Sequence, residues 1–349
     1  MKFSSQLLAW FDLHGRKNLP WQQDPSSYHV WLSEIMLQQT QVNTVIPYYQ
    51  RFTQHYPDLL SLANASVDDV LALWTGLGYY ARARNLHKAA NIILDQHNGD
   101  MPKDLDELVA LPGIGRSTAG AIMTLAHHQN FAILDGNVKR VLTRYNRVTG
   151  WPGNKQVENK LWLLAEELLP TKRIAHYIQA QMDLGATVCT RSKPKCDDCP
   201  LQADCQAFQH DIPQNYPESK PKKIIPSREI NWLIFQDLDG KILLQQRPNS
   251  GIWGGLWSFP EMESLENIGE YCLNEFHVNI TDITATASFK HVFTHFKLQV
   301  YPQLISVNKS SNHISENNTV TWYKISEALQ LGLPAPVKSF LQSLDKLRE

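Results

Sequence analysis

The sequence predicts a multidomain chain: an all-α first domain that ends in a cysteine loop, then an α+β domain. Three observations carry this. Through the first 210 residues apolar side chains recur at helix spacing, with no convincing strand pattern among them. Residues 212–227 then hold four prolines, which resist helix and favour an extended tether. Beyond the tether the pattern turns to short β-rich runs bounded by turn residues. Two domains suit 349 residues, and an apolar fraction of 43% is enough for a core in each.

Helices are read where apolar residues share a face. Leu7, Leu8 and Phe11 mark the first. Val30, Trp31, Ile35, Leu37 and Gln38 mark another. Ala119, Ile122, Met123 and Ala126 follow, then Leu161, Leu164, Ala165 and Leu168. After the tether, residues 232–235 and 241–244 flank Asp-Leu-Asp-Gly and read as a hairpin. Residues 286–306 and 319–324 read as strands, and 265–276 and 337–347 as helices. The expected layout is a first domain over 1–211, a linker over 212–227 and a second domain over 228–349.

The cysteine loop carries the strongest chemistry. Cys189, Cys196, Cys199 and Cys205 are separated by six, two and five residues. One short loop can thus wrap one compact inorganic centre. Close runs of four cysteines are the usual signature of iron–sulfur ligation. Structural zinc is the competing reading, although only Cys196 and Cys199 have the Cys-x-x-Cys spacing of a zinc knuckle. Disulfides fit less well. Asp12 and His14 interrupt the early apolar stretch from Leu7 to Phe11, so no signal peptide is read. No run is apolar enough to span a membrane. A cytoplasmic location is expected, with nucleoid association in a bacterium. Cys272 reads as an ordinary buried thiol.

The net charge of −1 indicates no partner. Local charge says more. Basic groups cluster at Arg82, Arg84, His87 and Lys88, at Lys139, Arg140, Arg144 and Arg147, and at Arg191, Lys193 and Lys195. Such runs are commonly solvated faces. Three of them beside a metal loop point to a phosphate-binding surface. Between two helical patterns, Leu-Pro-Gly-Ile-Gly-Arg-Ser-Thr-Ala-Gly places Gly113 and Gly115 just ahead of a helix N-terminus near Arg116 or Ser117. A glycine turn feeding a helix start is an anion site suited to phosphate. Taken alone it is also a plain helix–helix connection.

The fuller string resembles the hairpin of the helix-hairpin-helix DNA glycosylases. Asp135 lies twenty residues after Gly115, and the Cys-x6-Cys-x2-Cys-x5-Cys loop follows. Together these resemble the endonuclease III branch, which implies a [4Fe-4S] cluster on the four cysteines. Leu19-Pro-Trp-Gln, residues 30–42 and residues 73–86 closely resemble the MutY family of adenine glycosylases, through most of residues 1–210. The resemblance implies double-stranded DNA holding adenine opposite 8-oxoguanine or guanine as substrate, and a monomer. Glu34 would protonate adenine at N7, and its helix neighbours Val30, Trp31 and Leu37 favour the neutral acid. Asp135 would stabilise the sugar cation, beside the helix-capping role its position also allows.

The same resemblance matches Trp21, Leu37 and Val42 to an adenine pocket. Gln39 and Thr40 match gap-filling residues, and Leu77 and Tyr79 the opposite wedge. Gln22 stands where some relatives have arginine. Bifunctional members carry a lysine where this chain has Ser117, and serine cannot form a Schiff base. Base removal without efficient strand cleavage is therefore expected, with Lys139 as a phosphate contact.

The second domain resembles MutT-type Nudix folds. Gly255 to Glu261 keeps the start of the nucleotide-hydrolase motif, but the later paired glutamates are missing, so hydrolysis is not expected. Phe293, Thr294 and His295 match a lesion-reading strand loop, with threonine in place of serine. Two other readings compete: a bifunctional pyrimidine-damage glycosylase, and a non-catalytic lesion-binding protein. Ser117 argues against the first. Glu34 and Asp135 argue against the second.

Overall fold

The computed structural model describes residues 2–221, 225–309 and 319–346. The chain forms two compact units, residues 1–64 with 85–222, and residues 65–84 with 223–349. The linker residues 222–224, the predicted helix end at Leu347 and residues 310–318 lie outside the described residues.

The helices run α1 (Phe3–His14), α2 (Pro20–Gln23), α3 (Ser27–Leu37), α4 (Val42–His55), α5 (Leu59–Ala63) and α6 (Val67–Trp74). They continue with α7 (Ala81–Gln96), α8 (Leu105–Ala110), α9 (Arg116–Leu125), α10 (Gly136–Tyr145), α11 (Lys155–Glu167) and α12 (Ile174–Thr187). A short α13 (Gln206–Gln209) follows the cysteine loop. Starts are set by capping side chains that satisfy free N–H groups. Ser26 caps α3, Asp104 caps α8 and Asn154 caps α11. Asp135 caps α10 by accepting from the Val138 N–H at 2.7 Å. The first unit's core packs Phe3, Leu7 and Phe11 of α1 against Val138 and Leu142 of α10 and Tyr177, Ile178 and Leu184 of α12.

Close approach fixes the segment that carries Asp135. A Cβ on Gly120 of α9 would meet the Ala132 carbonyl oxygen at 2.5 Å. A Cβ on Gly185 of α12 would meet the Asn137 Cβ at 2.6 Å. Both glycines are needed for contact distance rather than for an unusual φ. From α9, the Ser117 hydroxyl also accepts a hydrogen bond from the Leu134 N–H at 3.0 Å. Residues 132–137 are thus gripped from two helices.

Two buried charges tie the ends of the unit together. Asp183 is fully buried and bonds the Arg16 Nε at 2.8 Å, the Arg16 backbone N–H at 2.7 Å and the Gln179 amide at 2.8 Å. Arg144, buried on α10, donates to the carbonyls of Pro213, Tyr216, Thr190 and Arg191. The first part of the expected tether is therefore not a free linker. Pro213–Asn215 forms a 3-10 turn, Tyr216 is buried, and the Arg144 guanidinium holds both carbonyls flanking the turn.

Among the described residues every strand lies in the second unit. Eight strands make one sheet: β1 (Ser227–Gln236), β2 (Ile242–Gln246), β3 (Trp257–Ser258), β4 (Glu261–Met262), β5 (Val278–Ala285), β6 (Phe289–Val292), β7 (Lys297–Lys309) and β8 (Val320–Tyr323). β1 and β7 are parallel, and the other pairs are antiparallel. The hairpin expected across residues 236–242 is present, with Gln236 opposite Ile242. Helices α14 (Ile268–Phe276), α15 (Ile325–Ala328) and α16 (Ala335–Lys346) complete the unit. Strand β5 was not expected. Its burial is confined to its first residues, so it lacks the alternation that marks a half-buried strand. Cys272 lies fully buried in the core with Phe235, Phe276 and Val307, as read from the sequence.

Gly185→Ala is expected to lower stability by about 1–3 kcal/mol, the usual cost of forcing atoms into a packed interior. Gly136→Ala should be neutral or slightly stabilising, because nothing lies within 4 Å of its added Cβ. Denaturant unfolding of the two variants checks the contrast. Equal midpoints would contradict the assigned packing.

Candidate active site

Glu34 and Asp135 face one open cleft of about 1600 Å³ in the first unit. The cleft is walled by α2, α3, the start of α4, α9, the N-terminus of α10 and α12. Trp21, Leu37, Gln39, Thr40, Val42 and Ser117 also line it. These are six of the expected contact residues, drawn from three separate stretches of sequence. Trp21 is buried and packs edge-on against Tyr49 with ring centres 5.4 Å apart. Gln39 sits in the left-handed region at φ +58, in the turn where α3 ends and the chain enters α4. That conformation is costly for a residue with a side chain and is most often met at functional turns.

The two carboxylates differ in what surrounds them. Burial, and after it the neighbouring Asp135 charge, push Glu34 up to about 8. Near neutral pH Glu34 is therefore mainly a neutral acid able to give up a proton. Burial also raises Asp135, against the Val138 N–H, the Asn137 amide and the Arg140 charge, which all favour the carboxylate. The Asn137 Nδ2 donates to Asp135 at 3.0 Å. Asp135 further sits at the positive end of α10. Desolvation is the largest influence at both carboxyls, but donors oppose it only at Asp135. The two carboxyls of one cleft thus stand in different surroundings, with the donors on the side of Asp135.

Asn137 and Arg140 are residues the sequence reading missed as site components. Arg140 donates to the Asn137 Oδ1 at 2.8 Å, to Gly185 O at 2.6 Å and to Cys189 O at 2.7 Å. It holds the residue that holds Asp135. Asn137 follows Asp135 by two positions, the one local signal that was available. Gln22, where some relatives were expected to have arginine, uses its amide to bridge Leu19 N–H and Arg16 O, each at 3.0 Å.

Other expected contacts lie elsewhere. Gly113 has φ +82 and makes the hairpin turn, whereas Gly115 has φ −97, an angle open to any residue. Lys139 is paired with Glu158 at 2.7 Å, so a phosphate there must compete with a carboxylate. Leu77 is buried and Tyr79 is 48% exposed, both in the segment that belongs to the second unit. The basic clusters are also reassigned in part. Arg82 donates to Leu77 O and Gly78 O, and Arg140 and Arg144 are spent on internal carbonyls. Arg147, Arg191, Lys193 and Lys195 are the exposed charges of those clusters in the first unit, with Lys88.

Cys189, Cys196, Cys199 and Cys205 line a single apolar cavity with Val141, Leu184 and Phe208. Arg144 donates to the Cys189 Sγ at 3.3 Å. Burial pushes Cys199 up to about 12, with the other three thiols adding to the rise. Four thiolates can coexist here only with metal charge among them. Among the described residues no three ligating side chains meet at a single ion position. Four thiols lining one apolar cavity fit an iron–sulfur cluster.

In the second unit, Phe293, Thr294 and His295 form the tip of the β6–β7 hairpin, closed by Phe293 N–H to Phe296 O at 2.9 Å. Thr294 and His295 are exposed. Phe293 is anchored against Phe296 and Trp253, with ring centres 4.8 and 5.3 Å apart. Glu261, the glutamate kept from the nucleotide-hydrolase motif, is paired with Arg247.

Family models match three parts of the chain. Residues 32–167 match the HhH-GPD superfamily base excision DNA repair protein. Residues 189–205 match the iron-sulfur binding domain of endonuclease III, and residues 231–343 match the NUDIX domain. The adenine DNA glycosylase of Buchnera aphidicola (subsp. Acyrthosiphon pisum, strain APS) is 40% identical over 99% of this chain and 98% of its own length. That of Rattus norvegicus is 35% identical over 93% of this chain and 75% of its own. A thermostable thymine-DNA glycosylase structure aligns with TM-score 0.53 at 26% identity, covering 60% of this chain and 95% of its own. Endonuclease III in a non-covalent DNA complex shares the fold at TM-score 0.52 and 21% identity, over 60% of this chain and 94% of its own. The protein is a DNA-repair enzyme with a [4Fe-4S] cluster, and no helix among its described residues is long and apolar enough to cross a membrane. With a helical glycosylase fold, a cysteine loop built for a cluster, a Nudix-like sheet and full-length relatives of one activity, the chain belongs to the adenine DNA glycosylases.

Proposed function

We propose that this enzyme removes adenine mispaired with 8-oxoguanine or guanine in double-stranded DNA, acts as a monomer, and does not itself cleave the strand efficiently. The observation that carries the reading is the neutral Glu34 facing the same cleft as a hydrogen-bonded Asp135. The adenine must leave the stack to reach them. Trp21, Leu37 and Val42 supply the apolar wall against which it lies, and Gln39 and Thr40 sit at the turn beside that wall. Glu34 gives a proton to adenine N7. The C1′–N9 electron pair then leaves with a neutral base rather than a poor anion. Asp135 stabilises the cation that develops on the sugar, water adds at C1′, and the water proton passes to a carboxylate. The product is an abasic site with both phosphodiester bonds intact.

Ser117 supports the monofunctional reading. Its hydroxyl accepts from the Leu134 N–H, a bracing contact rather than a nucleophilic one. Cys189, Cys196, Cys199 and Cys205 are the residues that would hold the cluster, which supplies structural and electrostatic support when bound. The exposed Arg191, Lys193 and Lys195 on that loop, with the Gly113–Gly115 hairpin, offer positive charge and N–H groups to the backbone. Phe293, Thr294 and His295 present a hydroxyl and an imidazole for reading the oxidised purine. Glu261, the glutamate kept from the nucleotide-hydrolase motif, is taken up by its pair with Arg247.

Glu34→Gln should lower single-turnover excision by about 10²–10⁴-fold, the usual contribution of a positioned acid, while binding of mispaired duplex survives. Near-wild-type excision would remove Glu34 from the mechanism.

The rate should also fall as pH rises through about 8, because Glu34 is the acid form below that value and an anion above it. Stability follows the same sign. A carboxyl raised by folding binds its proton more tightly in the folded state, so stability declines as pH rises from the ordinary glutamate range toward 8. Thermal melts at high pH should therefore show Glu34→Gln at least as stable as the parent. A variant markedly less stable there would contradict the assigned burial of charge.

Ser117→Lys should permit borohydride trapping of a protein–DNA adduct that the parent does not form. Strong trapping by the parent would overturn the monofunctional reading.

A further inference from the structure

Residues 65–84 interrupt the first unit in sequence yet pack with the second. Four contacts hold them there. Gln246 of β2 donates to the Asp68 carboxylate at 2.9 Å. The Arg84 guanidinium donates to Gly254 O. Gly332 lies so close to α6 that an added Cβ would stand 3.0 Å from the Leu71 Cβ. The Tyr80 hydroxyl donates to Leu333 O at 3.0 Å and accepts from the Gly76 N–H at 3.4 Å.

That last group joins a loop to a body. Gly76, Gly78 and Tyr79 all have positive φ, so residues 76–79 form a tightly wound loop. Arg82 closes it from inside, donating to Leu77 O and Gly78 O and lying 5.3 Å from the Tyr79 ring centre. The outcome is a buried Leu77 beside a Tyr79 ring that is 48% exposed on a left-handed residue. A planar aromatic presented at a fixed angle is suited to stacking on a nucleobase.

We propose that residues 65–84 form a recognition arm of the second unit, with Tyr80 and Asp68 as positioning residues that set how Tyr79 meets the base opposite the adenine. The same compact unit carries the Phe293–His295 hairpin. One body thus presents both a stacking ring and a polar reader to an oxidised purine, and preference for 8-oxoguanine over guanine depends on keeping the two in register. This rests on the lesion reading given above. Tyr80 and Asp68 act through Tyr79 and need not touch DNA.

The test uses full-length protein with its cluster, carrying Tyr80→Phe, Asp68→Ala or Asp68→Asn. Tyr80→Phe removes the hydroxyl bridge and keeps the ring. Asp68→Ala removes an acceptor that Asp68→Asn restores. Single-turnover excision of adenine opposite 8-oxoguanine and opposite guanine gives the preference ratio. Amide exchange of residues 67–84 reports docking of the arm. Tyr80→Phe and Asp68→Ala should each lower the ratio by about 3–10-fold, the factor expected for one lost hydrogen bond, and speed exchange in the arm. Asp68→Asn should keep both near the parent. Faster exchange with an unchanged ratio would overturn the specificity role, as would an equal loss on both duplexes. Unchanged exchange in Tyr80→Phe and Asp68→Ala would overturn the docking itself. A parent enzyme that excises equally from both duplexes would instead overturn the lesion reading. Docking would then be decided by exchange alone.

Discussion

Two carboxyl groups stand in one cleft in different surroundings, and much of the first unit's packing sets that difference. Left alone in a dry site, both would take up protons. The N-terminus of α10 breaks the symmetry. It gives Asp135 the Val138 N–H, the Asn137 amide and the positive helix end, while Glu34 on α3 is left to desolvation. The Asp135 charge is the second cause, after burial, of the raised Glu34.

The same helix reaches the cysteine loop. Asp135 caps α10, Arg140 lies more than a turn further on, and Arg144 a turn beyond that. Arg140 bonds Asn137 and Cys189 O, and Arg144 bonds Cys189 Sγ and the carbonyls of Thr190 and Arg191. Disorder in the cysteine loop would therefore strip partners from the buried Arg144 and the half-buried Arg140 and loosen the anchor of Asp135. The contact of α9 and α12 with residues 132–137 sets the other side of that anchor, through Gly120 and Gly185. The arrangement links the cysteine loop to the cleft that holds Glu34 and Asp135.

Much of this was legible in the sequence where local patterns carry it. Helix spacing located α3, α9 and α11, the four cysteines announced their cavity, and Asp135 was readable both as a cap and as a carboxylate. Long-range partners were not legible. Arg140 and Arg144 read as surface charge because nothing local shows that their donors are consumed by Gly185, Cys189 and Pro213. Lys139 read as a phosphate contact because Glu158 lies nineteen positions away. The Gly113–Gly115 turn looked symmetrical, yet only Gly113 needs its glycine for φ. Strand β5 escaped notice because its outer face gives it no alternation. The allegiance of residues 65–84 to the second unit was also hidden, since contiguous sequence gave no reason to divide the helical region there.

The cleft is expected to hydrolyse the glycosidic bond of a mispaired adenine and to stop at the abasic site. End-labelled duplexes holding adenine opposite 8-oxoguanine, guanine or thymine, each incubated with cluster-loaded protein and split between hot alkali and no treatment, test it most directly. Expected is cleavage at adenine after alkali in the first two duplexes only, with intact strands in every untreated sample. Strand breaks without alkali, or equal base loss opposite thymine, would contradict it.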